Sequence, residues 1–209
     1  MTLYKKREKF NSLSIKIGMI FSRIPLSPNQ WTTISLIPAA LGLILAYSGN
    51  IAAAVVLFGL AAFFDIIDGS VARVIGKVTR LGAYLDTIID RYIEFVMILS
   101  ILFLNLPGVL IPTYIWILLL LFGSMMSTYA KSASAEKNII KKEGHGIKGG
   151  ILEHADRLIV LFLIFFLSLL INKIYITYLV IIMAILSNLS AFQRIYYVWS
   201  FSRTRQSVG

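Results

Sequence analysis

The feature that most constrains this chain is a series of long segments without any charged side chain. No Asp, Glu, Lys or Arg occurs between Arg23 and Asp65, a run of 41 residues. A helix needs about 20 apolar residues to cross a bilayer, so this run predicts two membrane helices, separated by the turn residues Ser48-Gly49-Asn50. Hydrophobic residues make up 58% of the chain and charged residues 14%, which excludes a soluble globular enzyme and a disordered chain.

Further charge-free segments complete a set of six predicted membrane helices. One runs from Phe95 to Met126 with a break at residues 105–108, and two more cover residues 158–172 and 174–193. We predict transmembrane helices at about residues 31–48, 52–75, 82–104, 110–133, 155–171 and 174–199. The predicted fold class is therefore an all-α integral membrane protein with six transmembrane helices. With no cysteine in the chain, disulfides and thiolate metal sites are excluded.

The distribution of Lys and Arg predicts the orientation in the membrane. These residues cluster in residues 1–24, in the second and fourth connections and in the C-terminal tail, whereas the other three connections carry only Lys173. Because Lys and Arg collect on the cytoplasmic side, both termini are predicted to be cytoplasmic in a multi-pass cell-membrane protein. We therefore expect the net charge of +10 to attract the anionic lipids of the cytoplasmic leaflet rather than nucleic acid.

Residues 1–24 are predicted to form a separate amphipathic segment. Apolar residues alternate there with basic ones, notably at Ile15, Ile17, Met19, Ile20 and Phe21. Such a pattern is typical of a helix that lies on the cytoplasmic leaflet; a disordered basic tail is the alternative. Residues 25–209 are predicted to form one six-helix membrane domain.

Four carboxylates occur where a membrane helix should be apolar: Asp65, Asp68, Asp86 and Asp90. Each costs about 2.5–3.5 kcal/mol near the centre of a membrane helix, and the four repel one another. The spacings i, i+3 and i, i+4 place each pair on one helix face, and a short connection makes the two helices antiparallel neighbours. All-oxygen ligands suit hard cations such as Mg²⁺ or Mn²⁺, and two divalent ions would balance four carboxylates.

Small residues and a cation accompany the carboxylates. Gly69, Ala72 and Gly82 allow a ligand to approach the backbone, although they also fit close helix packing. Arg73 is suited to binding phosphate, although it also fits an ordinary cytoplasmic-side arginine. A divalent-cation transporter is a distant alternative, because it would need polar residues in the external half of the bundle, which is apolar.

Together these residues read Asp65-x2-Asp68-Gly69-x2-Ala72-Arg73-x8-Gly82-x3-Asp86-x3-Asp90, eight fixed residues over 26 positions. The string resembles the signature of the CDP-alcohol phosphatidyltransferase family. The resemblance implies a membrane enzyme, usually a homodimer, in which an alcohol displaces CMP from a CDP-linked lipid and a phosphodiester forms.

The resemblance also implies roles for individual residues. Asp65, Asp68 and Asp86 resemble ligands of two Mg²⁺ ions, for which Mn²⁺ is a possible substitute, and Asp90 resembles a residue that touches metal and acts as the general base. The positions that match the family's contacts with the CDP-linked lipid are Asn29, Gln30, Trp31, Thr32, Gly69, Arg73 and Thr79.

Three cations at predicted cytoplasmic helix ends point to the acceptor. Lys131, Arg157 and Arg194 lie in segments that resemble the phosphatidylinositol and archaetidylinositol phosphate synthases, where basic residues hold inositol phosphate. We therefore predict a small phosphorylated alcohol as acceptor, with glycerol phosphate or a soluble CDP-inositol donor as alternatives. Glu94, one turn past Asp90, fits either a role at the site or a packing or dimer contact.

Overall fold

The computed structural model describes residues 14–137, 139 and 150–206, with side chains up to residue 203. Residues 1–13 of the predicted surface helix therefore lie outside the described residues. The chain divides into two compact units, Met1–Ser100 and Ile101–Gly209. Regular structure in the described residues is helical, apart from one isolated bridge between Val109 and Ile111.

The first unit consists of consecutive helices joined by short turns. They are α1 (residues 14–21), α2 (Pro28–Ile34), α3 (Leu36–Tyr47), α4 (Ile51–Val74) and α5 (Arg80–Ser100). Ser27 caps α2 in a reciprocal pair with Gln30, and Pro28 stands at the first helical position, where a missing N–H costs nothing. Asn50 caps α4 by accepting a hydrogen bond from the Ala53 N–H at 3.2 Å.

The core of this unit holds α2 and α4 together. Trp31, Ile67 and Val71 form a buried cluster, and side chains from α1 and from the α1–α2 connection pack against it. Both α2 and α3 pack against α4 and α5. At one contact α3 approaches α4 so closely that a Cβ on Gly42 would lie 2.6 Å from the Phe58 ring. The two helices that carry the Asp residues are thus held through α2 and α3.

The second unit is built around one long helix. A 3₁₀ turn (Ile101–Leu104) is followed by α6 (Thr113–Glu136), α7 (His154–Leu167) and α8 (Lys173–Gln206), and α8 packs against both α6 and α7. The α6–α8 contact is tight, because a Cβ on Gly123 would lie 2.7 Å from the backbone nitrogen of Asn188. The Asn188 amide donates to the carbonyl oxygens of Leu119 and Ala184, both at 2.8 Å.

The all-helical prediction is confirmed for the described residues, but the individual helices differ. Within the described residues, four stretches are long and apolar enough to cross a membrane: Pro28–Tyr47, Ile51–Val74, Thr113–Glu136 and Lys173–Arg203. Helix α5 is long enough but carries several charged residues, and α7 has 14 residues, about 21 Å of helical rise. The first predicted helix begins earlier, at Pro28, and breaks at Ser35, whereas α8 continues to Gln206.

Candidate active site

Three carboxylates of the first unit meet at one point. Asp65 and Asp68 on α4 and Asp86 on α5 each offer an oxygen, and these oxygens all lie within 4.8 Å of one another. Asp68 is 5% exposed, and its Oδ2 has no hydrogen-bond partner. Buried charges of one sign are stable only when a cation compensates them. The arrangement therefore fits a divalent cation, whose opposite ligands in an octahedral site are about 4 Å apart.

Asp90 stands to one side of this group. It lies one turn beyond Asp86 on α5, it is half-buried, and it is not among the oxygens within 4.8 Å. Its charge nevertheless acts on that of Asp68. The structure thus gathers three of the four predicted metal ligands closely and leaves the fourth beside them.

A short turn brings the two Asp pairs to the same end of their helices. Helix α4 ends where Lys77 donates its N–H to the Ala72 carbonyl at 3.1 Å, with Gly76 at a φ of +65° that favours glycine. Thr79 then starts α5 by accepting a hydrogen bond from the Gly82 N–H at 2.9 Å. Asp68 precedes this turn and Asp86 follows it. The turn therefore brings their side chains to the same end of α4 and α5, where their oxygens lie within 4.8 Å of each other.

A cavity of about 230 Å³ opens beside the carboxylates. Its walls come from α2, α4, the turn and α5. The lining residues are Pro28, Asn29, Thr32, Asp68, Gly69, Ala72, Arg73, Lys77, Val78, Thr79, Gly82, Ala83 and Asp86. Five of the predicted contacts with the CDP-linked lipid are among them. The cavity thus combines carboxylates, cations, hydroxyls and glycine backbone, which are groups suited to a metal-bound diphosphate.

Two other predicted contacts, Gln30 and Trp31, lie outside this lining. The Gln30 side chain accepts a hydrogen bond from the Ser27 N–H at 2.7 Å and so completes the α2 cap. Trp31 is buried, with its ring 5.6 Å from that of Phe21 in an edge-on contact. Both residues therefore hold α2 in position, whereas their neighbours Asn29 and Thr32 face the cavity.

The two glycines of the motif differ in what surrounds them. A Cβ on Gly82 would lie 2.9 Å from Oδ1 of Asn29 and 3.0 Å from Oγ1 of Thr79, so a larger residue would displace these two side chains of the cavity wall. A Cβ on Gly69 would meet only the Arg73 guanidinium, at an ordinary 3.6 Å. Close packing thus explains Gly82, whereas Gly69 exposes backbone to the cavity.

The second unit brings together two of the three predicted acceptor cations. Arg157 and Arg194 are 1% and 8% exposed, and their charges act on each other. Arg194 donates from Nη1 to the Ser127 carbonyl at 2.6 Å, one turn before Lys131, which is exposed near the end of α6. Nε of Arg194 has no hydrogen-bond partner. The negative charge of Glu153 also acts on Arg194, and Arg157 donates from Nη1 to the Leu152 carbonyl at 3.2 Å. The unused Nε donor of Arg194, beside a second buried cation, forms an arrangement that an anion would stabilise further.

The segment that leads into α7 covers Arg194. The N–H of Leu152 donates to Ser190 Oγ at 2.8 Å, and the Ile151 N–H donates to Gln193 Oε1 at 3.1 Å. A Cβ on Gly150 would lie 3.2 Å from Nε of Arg194. Residues 144–149, which precede Gly150 and include three further glycines, lie outside the described residues.

An ion pair beside Asp90 was not predicted from the sequence. Arg91 donates to the carboxylate of Glu94, which is 0% exposed. This burial favours the packing role considered for Glu94. The sequence does contain a signal for this ion pair, since Arg91 and Glu94 carry opposite charges at the spacing i, i+3 on an otherwise apolar helix face.

Comparison with known proteins gives the same family as the motif. The sequence profile of CDP-alcohol phosphatidyltransferase matches residues 26–196. The archaetidylinositol phosphate synthase of Pyrococcus horikoshii is 32% identical over 195 residues, which cover 93% of this chain and 95% of that protein.

Solved structures share the fold. A crystal structure of Mycobacterium tuberculosis phosphatidylinositol phosphate synthase with CDP-DAG bound has a TM-score of 0.75 at 24% identity, over 90% of this chain and 94% of that chain. The same protein in complex with manganese and citrate has a TM-score of 0.74 at 23% identity, over 89% and 88% of the two chains. From the matched profile and the sequence identity, the chain belongs to the CDP-alcohol phosphatidyltransferase family.

Proposed function

We propose that this enzyme transfers the phosphatidyl-type group of a CDP-linked lipid to inositol phosphate and releases CMP. The observation that carries the proposal is the group of three carboxylates beside a cavity lined by Arg73, Thr79 and Gly69. The name of the relative from Pyrococcus horikoshii supports the acceptor. Two donors remain to be compared. CDP-archaeol is suggested by that relative's name, and CDP-diacylglycerol is suggested by the CDP-DAG bound to the structural relative.

The metal ligands in this proposal are Asp65, Asp68 and Asp86, with Asp90 as a further contact. The buried Oδ2 of Asp68 without a hydrogen-bond partner supports this assignment, as does the manganese bound to the structural relative. We propose two Mg²⁺ ions, replaceable by Mn²⁺. When bound, such ions neutralise a diphosphate and stabilise a departing phosphate oxygen.

The donor's diphosphate then lies in the cavity beside α4. Arg73 contributes a guanidinium, Gly69 contributes exposed backbone, and Asn29, Thr32 and Thr79 contribute polar groups around the nucleotide. Asp90 accepts the proton of the acceptor's hydroxyl. The hydroxyl oxygen then forms a bond to the lipid-linked phosphorus, the bond from that phosphorus to the CMP oxygen breaks, and CMP leaves.

The phosphate already present on the acceptor is assigned to the cations of the second unit. Arg157 and Arg194 are buried next to each other, and Arg194 Nε has no hydrogen-bond partner. A phosphate would accept the unused hydrogen bond of Arg194 Nε and would add negative charge beside both guanidinium groups. Lys131, one turn beyond Ser127 on α6, supplies a third cation in the proposal.

The membrane arrangement is also a proposal. We expect six spans in residues 25–209, a surface helix in residues 1–24, cytoplasmic termini, a cytoplasmic active site and a homodimer. Helix α8 supports part of this, because its 34 residues rise about 51 Å, more than the roughly 30 Å hydrocarbon core. Near its end Arg203 stacks on Trp199 at 3.9 Å, a pairing typical of the membrane–water interface.

A CMP-release assay with a panel of acceptors tests the proposal. The purified protein is supplied with Mg²⁺, CDP-diacylglycerol or CDP-archaeol, and one of inositol phosphate, glycerol phosphate, serine or free inositol. We expect CMP release to be fastest with inositol phosphate. A separate reaction with CDP-inositol and a lipid alcohol tests the reversed donor. Faster release with serine or free inositol would contradict the phosphorylated acceptor, and no release with any acceptor would contradict the activity.

Replacing Arg157 or Arg194 is expected to weaken binding of the acceptor selectively. Loss of one charge-assisted partner costs about 1.5–3 kcal/mol, or roughly 10- to 100-fold in affinity. We therefore expect Arg194→Ala to raise the KM for inositol phosphate by that factor, with the KM for the CDP-linked lipid nearly unchanged. Arg194→Lys, which keeps the charge, should lose less, and Lys173→Ala at the opposite end of α8 serves as the control. A normal acceptor KM in both arginine-to-alanine variants would refute the assignment.

A further inference from the structure

The serine at the start of the described part of α1 contacts a residue of the candidate donor site. Ser14 is 7% exposed, and its hydroxyl lies 2.9 Å from that of Ser70 on α4. The Arg73 guanidinium donates from Nη2 to Ser14 Oγ at 2.7 Å and, more weakly, to Ser70 Oγ at 3.5 Å. A residue 59 positions away in the sequence thus holds one end of this guanidinium.

Helix α1 is docked closely enough to make this contact specific. A Cβ on Gly18 would lie 2.5 Å from both the Ser70 carbonyl oxygen and Cγ2 of Val74, so only glycine fits there. Ser14 and Gly18 are four residues apart and therefore share the face that meets α4. Ile17 and Phe21 pack against the buried cluster around Trp31. The position of Ser14 is consequently fixed by the packing of the residues that follow it in α1.

This contact determines where the rest of the Arg73 side chain points. Arg73 is largely exposed, and a free arginine side chain has many rotamers whose loss opposes binding. In the structure its guanidinium folds back over Gly69, and Nη1 is the guanidinium atom nearest to the Gly69 Cβ position, at 3.6 Å. Gly69 and Arg73 both line the cavity. Ser14 thus holds Nη2 of a guanidinium that belongs to the cavity lining.

We propose that Ser14 is a positioning residue for the donor: its hydroxyl orients the Arg73 guanidinium toward the phosphates of the CDP-linked lipid. The proposal rests on the proposed function of the cavity, and it makes α1 a part of donor binding rather than only a membrane contact. Ser14 contacts Arg73 but is not part of the cavity lining. We therefore expect it to affect the affinity for the donor rather than the rate of the chemical step.

A double-mutant cycle between Ser14 and Arg73 tests the proposal. Ser14→Ala is expected to raise the KM for the CDP-linked lipid about 3- to 10-fold, as for the loss of one ordinary hydrogen bond, because Ser14 acts on the donor only through Arg73; kcat and the acceptor KM should be retained. Ser14→Thr, which keeps the hydroxyl, should retain most of the donor affinity. In an Arg73→Ala background, Ser14→Ala should have no further effect on donor KM, because the group that it positions is gone. Ser22→Ala, another hydroxyl next to α1, serves as the matched control.

Binding of CDP with Mn²⁺, followed by the rise in Tm, provides a readout that needs no turnover. Weaker CDP binding by Ser14→Ala than by Ser22→Ala supports the positioning role even if the wild-type protein releases no CMP, a result that would contradict the proposed function alone. Equal CDP binding by wild type and Ser14→Ala would overturn the inference. So would fully multiplicative effects of Ser14→Ala and Arg73→Ala, because they would show that Ser14 serves only the docking of α1.

Discussion

Asp68→Asn is expected to reduce kcat/KM by about 150- to 5,000-fold, even with saturating Mg²⁺. The variant keeps the size of the side chain but removes one negative charge from the three carboxylates that lie within 4.8 Å. Leaving a buried ionic partner uncompensated typically costs about 3–5 kcal/mol, which gives a loss of this size. Asp86→Asn should behave in the same way. CMP release is the measurement, with Glu136→Gln, an exposed carboxylate of α6, as the control.

Metal binding separates this explanation from simple misfolding. The wild-type Tm should rise on addition of Mg²⁺ or Mn²⁺ and fall with EDTA, because ions that bind only the folded state stabilise it. Asp68→Asn should lose most of this rise. Its Tm in EDTA should match or exceed that of the wild type, because fewer like charges then repel one another. A variant that turns over normally in EDTA would refute the metal-dependent site.

The spacing of the motif was sufficient to predict the family and the meeting of the carboxylates. Asp65 and Asp68 share one face of α4, and the tight turn at Gly76 returns the chain toward them, while α2 and α3 pack against both helices and hold Asp86 nearby. The family assignment is confirmed. Local periodicity and turn chemistry act over a few residues, so one sequence contains all the information that this part of the site requires.

Contacts between distant segments could not be read from the sequence. The neighbours Asn29, Gln30, Trp31 and Thr32 all matched the family's nucleotide-binding stretch, yet only two of them line the cavity, because α2 turns the others toward its own cap and the core. The contact of Ser14 with Arg73 spans 59 positions. Which α2 residues face the cavity, and which distant residue contacts Arg73, depends on the packing of whole helices, and no local pattern specifies that packing.

The length of a charge-free run also proved an imperfect guide to helix limits. Helix α5 begins at Arg80, whereas the charge-free run begins only at Phe95, because Asp86, Asp90, Arg91 and Glu94 lie within the helix before that residue. Its charges are instead paired or gathered at the site, as Arg91 is with Glu94. Charged residues on a helix that packs into a membrane bundle mark function rather than the end of the helix.

Asp90→Asn should lower kcat about 100- to 10,000-fold while the KM for the CDP-linked lipid changes little. An amide cannot accept the hydroxyl proton of the acceptor, and removal of a general base typically costs this factor. A selective loss of kcat identifies an interaction that matters in the transition state rather than in the bound donor complex. Steady-state kinetics with inositol phosphate and the CDP-linked lipid, each varied in turn, provide the measurement.

The position of Asp90 makes this variant decisive between its two proposed roles. Asp90 lies one turn beyond Asp86 and outside the three oxygens within 4.8 Å, so a purely metal-binding role predicts weaker Mn²⁺ binding with kcat restored by excess ion. A base predicts nearly normal Mn²⁺ binding and a kcat that no concentration of ion restores. Asp90→Glu, which keeps a carboxylate but displaces it by one methylene, should then recover part of kcat. Recovery of kcat by Mn²⁺ in Asp90→Asn would show that Asp90 is a ligand and that another group takes the proton.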